Sequence, residues 1–269
     1  MDSISRFKFG EISCERVISA VLRRFKSIPH KIAWNITKKG RSNRHRLDEM
    51  KNINAGKRCF LIANGPSLLK TDINKLSNEI TFGLNRIYLN YNNMCFKPTY
   101  LVCVNMLVLK QFALELKSEK MPLFINWQSR RYFKDTCNTF FLENNIFGKS
   151  FSKNISYSIN PAATVTYAAL QIIYYMGFKE VIIVGMDHTF SFQGKPNETQ
   201  VRVDEKDQNH FSPNYFPKGV KWETPDLVST EYFYKIADQE FKKDGRRIYD
   251  ATVNGKCTVF EKIEYDSIF

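Results

Sequence analysis

The stretch CFLIANGPSLLK, residues 59–70, decides how the rest of the chain is read. An unbroken apolar run stops at Asn64-Gly65-Pro66-Ser67, and a helical pattern follows over 67–77. A run that is apolar at every position, rather than at every second one, fits a strand covered on both faces. A strand that turns tightly into a helix is the first half of a β-α-β unit. The same grammar recurs downstream. RCFLIA (58–63), ITFGLN (80–85), TYLVCVN (99–105), MPLFINW (121–127) and EVIIVGMD (180–187) read as buried strands. Helical patterns over 67–77, 106–118 and 164–176 lie between them. The expected fold is therefore α/β, a doubly wound and mainly parallel Rossmann-like sheet. The segment TVTYAALQIIYYM (164–176) is apolar nearly all round and should be deeply packed. Near the end, TEYFYKIADQEFKK (230–243) repeats Phe233, Ala237 and Phe241 on one face, and Gly245 stops it. RRIYDAT (246–252) then reads as the last strand of the sheet, followed by a turn at Asn254-Gly255.

Charge divides the chain in two. Residues 1–58 hold 15 Lys/Arg and 5 Asp/Glu, a net +10 out of the chain's +13. The expected organisation is a basic N-terminal extension over 1–57 and a catalytic domain over 58–269. Within the extension, ISCERVISAVLRRFKSI (12–28) places Val17, Ile18, Val21, Leu22 and Phe25 on one helical face, with Arg16, Arg23, Arg24 and Lys26 around the remainder. Two occupants suit that face: an anionic membrane surface, met through residues 6–28, or protein, either the main domain or a sister subunit in a homo-oligomer. Residues 38–58 read as a basic linker. Aromatic interleaving and a known nucleic-acid motif are both absent, which argues against a nucleic-acid partner. The start of the chain lacks the apolar core of a secretory signal. No stretch approaches the roughly 20 apolar residues of a membrane span. The six cysteines form no CxxC pair, so buried free thiols in a reducing compartment are expected rather than a zinc site. The expected location is cytoplasmic, peripheral at the inner face of the membrane.

Residues 188–229 break the pattern. This segment is long, polar and aromatic, as a lid or binding loop would be. It carries His210 in the setting DQNHFSPNYF, close to Asn209 and Tyr215. Histidine is the natural general base near neutrality. His210 is thus the expected base, with His188 as the alternative and Asp187 orienting the site.

In a doubly wound sheet, ligands bind outside the carboxyl ends of the strands. Each predicted strand end here carries a polar residue: the Asn64-Gly65-Pro66-Ser67 turn, Asn85, Asn105, and Asp187-His188. Amide side chains donate and accept, which suits a nucleotide's base and ribose. The 65–67 amides at a helix start could face a phosphate, or the turn could simply cap a helix through Ser67. The turn is neither a Walker loop nor a dinucleotide fingerprint, since Gly-Lys-Ser/Thr and GxGxxG are both missing. No Asp-x-Asp occurs to hold Mg²⁺ or Mn²⁺. The leaving group would then rest on donors such as Tyr215, Lys218, Ser67 and the 65–67 amides, an arrangement that favours a nucleoside-monophosphate leaving group and needs no metal or other cofactor.

LIANGPSL, then Asn85, Asn105 and YYMGFKEVIIVGMD, resemble the bacterial family-42 sialyltransferases. They are equally similar to a broader Rossmann-like family that includes archaeal hydroxymethylpterin pyrophosphokinases and flagellin-associated motility accessory factors. DQNHFSPNYF and the last 25 residues resemble the polysaccharide-associated branch of that family. The resemblance spans residues 58–269. It implies a glycosyltransferase that moves a sialic-acid-like sugar from a CMP-activated donor to a surface glycan, by inverting displacement without metal. Asn64, Gly65, Pro66, Ser67, Asn85, Asn105, Thr164, Asn209 and Tyr215 would bind the nucleotide-sugar. Two positions depart from the sialyltransferase pattern. INPAATVTY has no Arg before the helix, and His188-Thr189-Phe190 stands where a tyrosine follows the strand-end Asp. The alternative activity is ATP-dependent pyrophosphoryl transfer to a pterin alcohol, with Mg²⁺ held by Asp187, Asp204 and Asp207. A non-catalytic nucleotide-binding protein is the remaining reading.

Overall fold

The computed structural model describes residues 14–145, 150–162 and 164–269. Ten strands are present among the described residues: β1 (Arg58–Ile62), β2 (Thr81–Leu84), β3 (Tyr100–Cys103), β4 (Leu123–Asn126), β5 (Thr139–Leu142), β6 (Glu180–Val184), β7 (Thr199–Val201), β8 (Lys221–Glu223), β9 (Arg247–Asp250) and β10 (Glu261–Lys262). Eight of them form one sheet in the order β10-β9-β6-β1-β2-β3-β4-β5, and every pair in it is parallel. The continuous apolar runs behave as expected. Cys59 to Ile62 and Val181 to Val184 are buried throughout, because helices cover both faces. Phe60 sits between Thr81 of β2 and Ile182 of β6.

The chain order fixes the site. From β1 the strands run outward through β2, β3, β4 and β5, and the chain then returns through α5 (Val165–Tyr175) to place β6 on the other side of β1. The carboxyl ends of β1 and β6 are therefore the point where the winding reverses, and a crevice opens there. Helix α5 is buried from Thr166 to Tyr175. Its one amide, Gln171, is fully bonded: Oε1 accepts from the Ser152 and Asn160 amides, and Nε2 donates to the Asn160 and Tyr167 carbonyls.

Several elements differ from the sequence reading. The expected helix over 67–77 is two short 3-10 turns, Pro66–Lys70 and Ile73–Leu76. The helix over 106–118 is broken at Phe112 into α3 (Met106–Gln111) and α4 (Ala113–Ser118). Strands β5 and β10 lacked a sequence signal, and β10, not the segment at 246–252, closes the sheet. Strands β7 and β8 form an antiparallel hairpin within 188–229.

The linker expected over 38–58 is largely the helix α2 (Lys38–Glu49). Thr37 caps it by accepting from the Gly40 amide. Gly40 must lack a Cβ, which would lie 2.1 Å from the Trp34 carbonyl oxygen. From α2, Asn43 exchanges two hydrogen bonds of 2.8 Å with the backbone of Phe141, and so covers part of the open edge of β5. Helix α1 (Cys14–Ile36) docks through Trp34, whose ring meets Trp127 edge-on at 5.2 Å, and through the His30 carbonyl, which accepts from Trp127 Nε1. His30 is half-buried beside Arg130, and burial and then the charges of Arg130 and Arg131 lower its pKa. Of the apolar stripe expected on α1, Leu22 and Phe25 are exposed. Residues 6–13 of the expected membrane contact lie outside the described residues, as do the side chains of Val17, Ile18 and Val21. No helix among the described residues is long and apolar enough to cross a membrane.

Candidate functional site

A cavity of about 230 Å³ opens at the carboxyl ends of β1, β2, β3 and β6, beneath the 188–229 segment. It brings together Asn64, Gly65, Asn85, Asn105, Thr164, Asp187, His188, Asn209, His210 and Tyr215, residues spread over 152 positions of the chain. Pro66 and Ser67 do not line it.

The Asn64-Gly65-Pro66-Ser67 turn has an occupant already. The Ser67 amide and hydroxyl both donate to the Asp187 carboxylate, the hydroxyl at 2.6 Å from Oδ2. The Gly65 amide donates to the Gly185 carbonyl at 2.8 Å. The turn thus holds a carboxylate of the neighbouring strand end, and not a phosphate. It also latches β1 to β6 across the point of reversal. Glycine is required at 65 because a Cβ there would lie 1.9 Å from Asp187 Oδ2. Ser67 is therefore no free donor for a leaving group. Lys218 is not one either, since it pairs with Glu205 at the surface.

The amides divide into occupied and vacant. Asn105 caps α3 by accepting from the Leu107 and Val108 amides, and its Nδ2 reaches Glu223 on β8 at 3.2 Å. Asn209 clamps Ser191, accepting from its amide and donating to its carbonyl. Both support the 188–229 segment. Asn64 donates to the Leu84 carbonyl at 3.0 Å, but its Oδ1 is buried without a partner. Asn85 is held in the left-handed region (φ 46°), and its Oδ1 is likewise buried and unpartnered. Both residues line the cavity at adjacent strand ends, and each carries a buried amide oxygen left without a partner.

The two histidines are each backed by a carboxylate. His210 Nδ1 lies 2.9 Å from Asp207 Oδ2, and its Nε2 has no hydrogen-bond partner among the described residues. Its ring stacks on Tyr215 with centroids 3.9 Å apart and planes 5° from parallel, and Phe216 closes the edge at 5.3 Å. Asp207 is buried and accepts the Asn209 amide at 2.8 Å. Burial pushes its carboxyl up, but the His210 hydrogen bond and charge, the Asn209 amide and the Arg202 charge outweigh that, so the pKa lies below its ordinary value. On the other wall, His188, also in the left-handed region (φ 57°), meets Glu231 Oε1 through Nε2 at 3.1 Å. Thr164 caps α5, whose first turn faces the cavity. Tyr234 bonds the Thr164 and Thr166 side chains, and burial raises its pKa to about 12.

Two residues escaped the sequence reading. Arg86 follows Asn85 and is buried. Its guanidinium lies 3.6 Å over the Phe112 ring and donates to the Asn214 and Tyr215 carbonyls and to the Tyr88 hydroxyl, while its amide reaches the Tyr215 hydroxyl. It ties the lid to the end of β2, and so fixes the ring on which His210 stacks. Lys221 is the one Lys or Arg among the cavity-lining residues. Gln111 holds its backbone from both sides, accepting from the Lys221 amide and donating to its carbonyl, each at 2.8 Å. An Arg next to a polar strand end would have been the signal for Arg86, but basic residues are too common in this chain to stand out; Lys221, in the long segment, had no local signal.

The carboxylates expected around Mg²⁺ do not converge. Asp187 is on Ser67, Asp207 on His210, and Asp204 on Arg202 at the surface. Among the described residues no group of three His, Cys, Asp or Glu side chains could hold a metal ion.

No sequence among curated proteins matches the chain. Among solved structures it is similar to a MAf glycosyltransferase from Magnetospirillum magneticum AMB-1, with a TM-score of 0.49 and 12% identity over 95% of this chain and 43% of that one. The chain thus spans less than half the length of that protein. The family model described as 6-hydroxymethylpterin diphosphokinase MptE-like matches residues 34–193, more than half of the chain and all of the sheet from β1 to β6. This chain belongs to that MptE-like family.

Proposed function

We propose that the protein is a glycosyltransferase that transfers a sialic-acid-like sugar from a CMP-activated donor to a hydroxyl of a glycan. The observation that carries this reading is the His210–Asp207 pair beside a cavity lined by Asn64 and Asn85, two amides with an unpartnered oxygen each. Asn64 and Asn85 accept from a base amino group or ribose hydroxyls. His210 Nε2 takes the proton of the acceptor hydroxyl while that oxygen attacks the anomeric carbon from the face opposite the phosphate. Asp207 holds Nδ1–H, which leaves Nε2 free to accept and stabilises the imidazolium that forms. The bond from the anomeric carbon to the phosphate oxygen breaks, and CMP departs. Lys221 and the first turn of α5, which line the cavity, stabilise the charge that the departing phosphate gains. Asp187, tied into the turn at 65–67, positions the strand ends rather than the proton.

The family description favours a second reading, diphosphoryl transfer from ATP to a pterin alcohol. One assay separates the two. CMP release from CMP-sialic acid is followed in EDTA with the wild type and His210→Ala, beside AMP formation from ATP, Mg²⁺ and a hydroxymethylpterin. Release by the wild type that is lost in the variant supports the transferase. AMP formation without CMP release overturns it.

A further inference from the structure

We propose that the outward face of α1 is a docking surface for an anionic lipid bilayer. The helix carries two different faces. Ser27, His30 and Trp34 turn toward the domain: Ser27 and Trp34 are buried, Trp34 packs on Trp127, and the His30 carbonyl accepts from the Trp127 indole. At about 100° per residue, Phe25, Ile32 and Ile36 fall within about 20° of a single line on the opposite side, and Leu22 and Ile28 flank it within about 60°. These five large apolar side chains are between 42% and 65% exposed. A helix already satisfied by the domain on one side has no intramolecular reason to present a second apolar stripe.

Charge identifies the occupant. Arg24 and Lys26 are exposed and lie about 100° to either side of the stripe, where cationic heads would reach lipid phosphates while the apolar residues enter the acyl boundary. Residues 16–47 contain ten Lys/Arg and no Asp or Glu. Two copies pairing stripe to stripe would bring the Arg24 and Lys26 heads of both helices together, whereas an anionic surface attracts each of them. Placement agrees. Trp127 directly follows the last residue of β4, so α1 is anchored at the carboxyl edge of the sheet, the edge on which the cavity opens. A bilayer on α1 would therefore lie beside the cavity mouth. The proposal does not depend on which reaction the cavity runs.

The test uses the full chain in co-sedimentation with phosphatidylcholine vesicles, with and without phosphatidylglycerol. The expected result is at least about tenfold tighter binding to the anionic vesicles, weakened by added salt. The double variant Phe25→Asp/Ile32→Asp should lose at least about tenfold of that binding while its melting temperature stays unchanged, since neither side chain packs on the domain. Absence of binding to phosphatidylglycerol vesicles overturns the proposal. Equal binding by the double variant does so as well. A wild-type dimer in light scattering that this variant turns into monomer, without vesicle binding, would assign the stripe to a second copy instead.

Discussion

Asp207→Asn keeps the size of the side chain and removes the charge behind His210. The structure gives the consequence of each bond. Asp207 Oδ1 accepts the Asn209 amide at 2.8 Å, and an Asn carbonyl in that place would keep accepting it. The new NH₂ then occupies the Oδ2 position, 2.9 Å from His210 Nδ1. An NH₂ donates, so Nδ1 must accept, and the ring proton moves to Nε2. In that tautomer the nitrogen facing the cavity can no longer take a proton. Loss of a positioned base costs about 10²- to 10⁴-fold in rate, which is about 2.7–5.5 kcal/mol of barrier. Folding should change by only about 1–2 kcal/mol, because the lid keeps the Asn209 and Arg86 anchors. The assay is kcat/KM for nucleotide release, set beside calorimetric binding of the free nucleotide. Activity should fall by that factor, with nucleotide affinity unchanged within about threefold. Turnover within about threefold of wild type, in a background where His210→Ala is inactive, would refute the tautomer argument. The same carboxylate makes a second contribution. Its folded pKa lies below the ordinary 3.8, so its stabilising effect is complete above that value and is lost as pH falls through the folded value. In Asp207→Asn, that part of the acid unfolding below about pH 4 should be absent.

Gly65→Ala should destabilise the fold by at least about 1–3 kcal/mol, read as a lowered denaturation midpoint, because its Cβ would displace the Asp187 carboxylate from the Ser67 amide and hydroxyl. A neutral outcome would mean that the latch between β1 and β6 is not rigid. Arg86→Leu should leave the Asn214 and Tyr215 carbonyls without their donor and free the lid; hydrogen exchange at 202–216 should rise, and KM for the donor should increase more than kcat falls. Burial raises the Glu143 carboxyl from 4.5 to about 7, against the opposing charges of Lys31 and Arg130. A carboxyl raised in the folded state costs stability as pH climbs from the unfolded value through the folded one. Glu143→Gln should therefore gain on wild type between about pH 4.5 and 7, by up to about 3 kcal/mol above that window, measured by urea unfolding at several pH values.

Much of this molecule was written locally. The runs at 58–63 and 180–187 are apolar at every position because both faces are covered, and that property of single segments was enough to imply a parallel, doubly wound sheet. Polar residues closing each strand implied a crevice, and Asn64, Asn85, Asn105, Asp187 and His188 line it. The cysteines at 59, 103 and 257 are buried and free, as their apolar runs implied, whereas Cys95 and Cys137 are exposed. Other elements had no local signal. Strand β10 is two residues long, too short for periodicity to register, and like β5 it lies at an edge of the sheet, where pairing with one neighbour defines it. Helix α2 is polar by composition, and it orders only because Asn43 and Leu47 find β5 and the core.

The site shows the same division. Sequence alone determined which residue types gather at the carboxyl ends of the strands, because strand direction and the chain reversal at β1 place them there. Partners were decided only by the tertiary structure. Ser67 and Asp187 are 120 residues apart, and their contact turned an expected phosphate cradle into a latch. Asp207 became the support of His210, and Arg86 the anchor of the lid, through contacts that no periodicity records. A side chain's role follows from what fills its hydrogen bonds, and those partners are fixed only when distant segments pack.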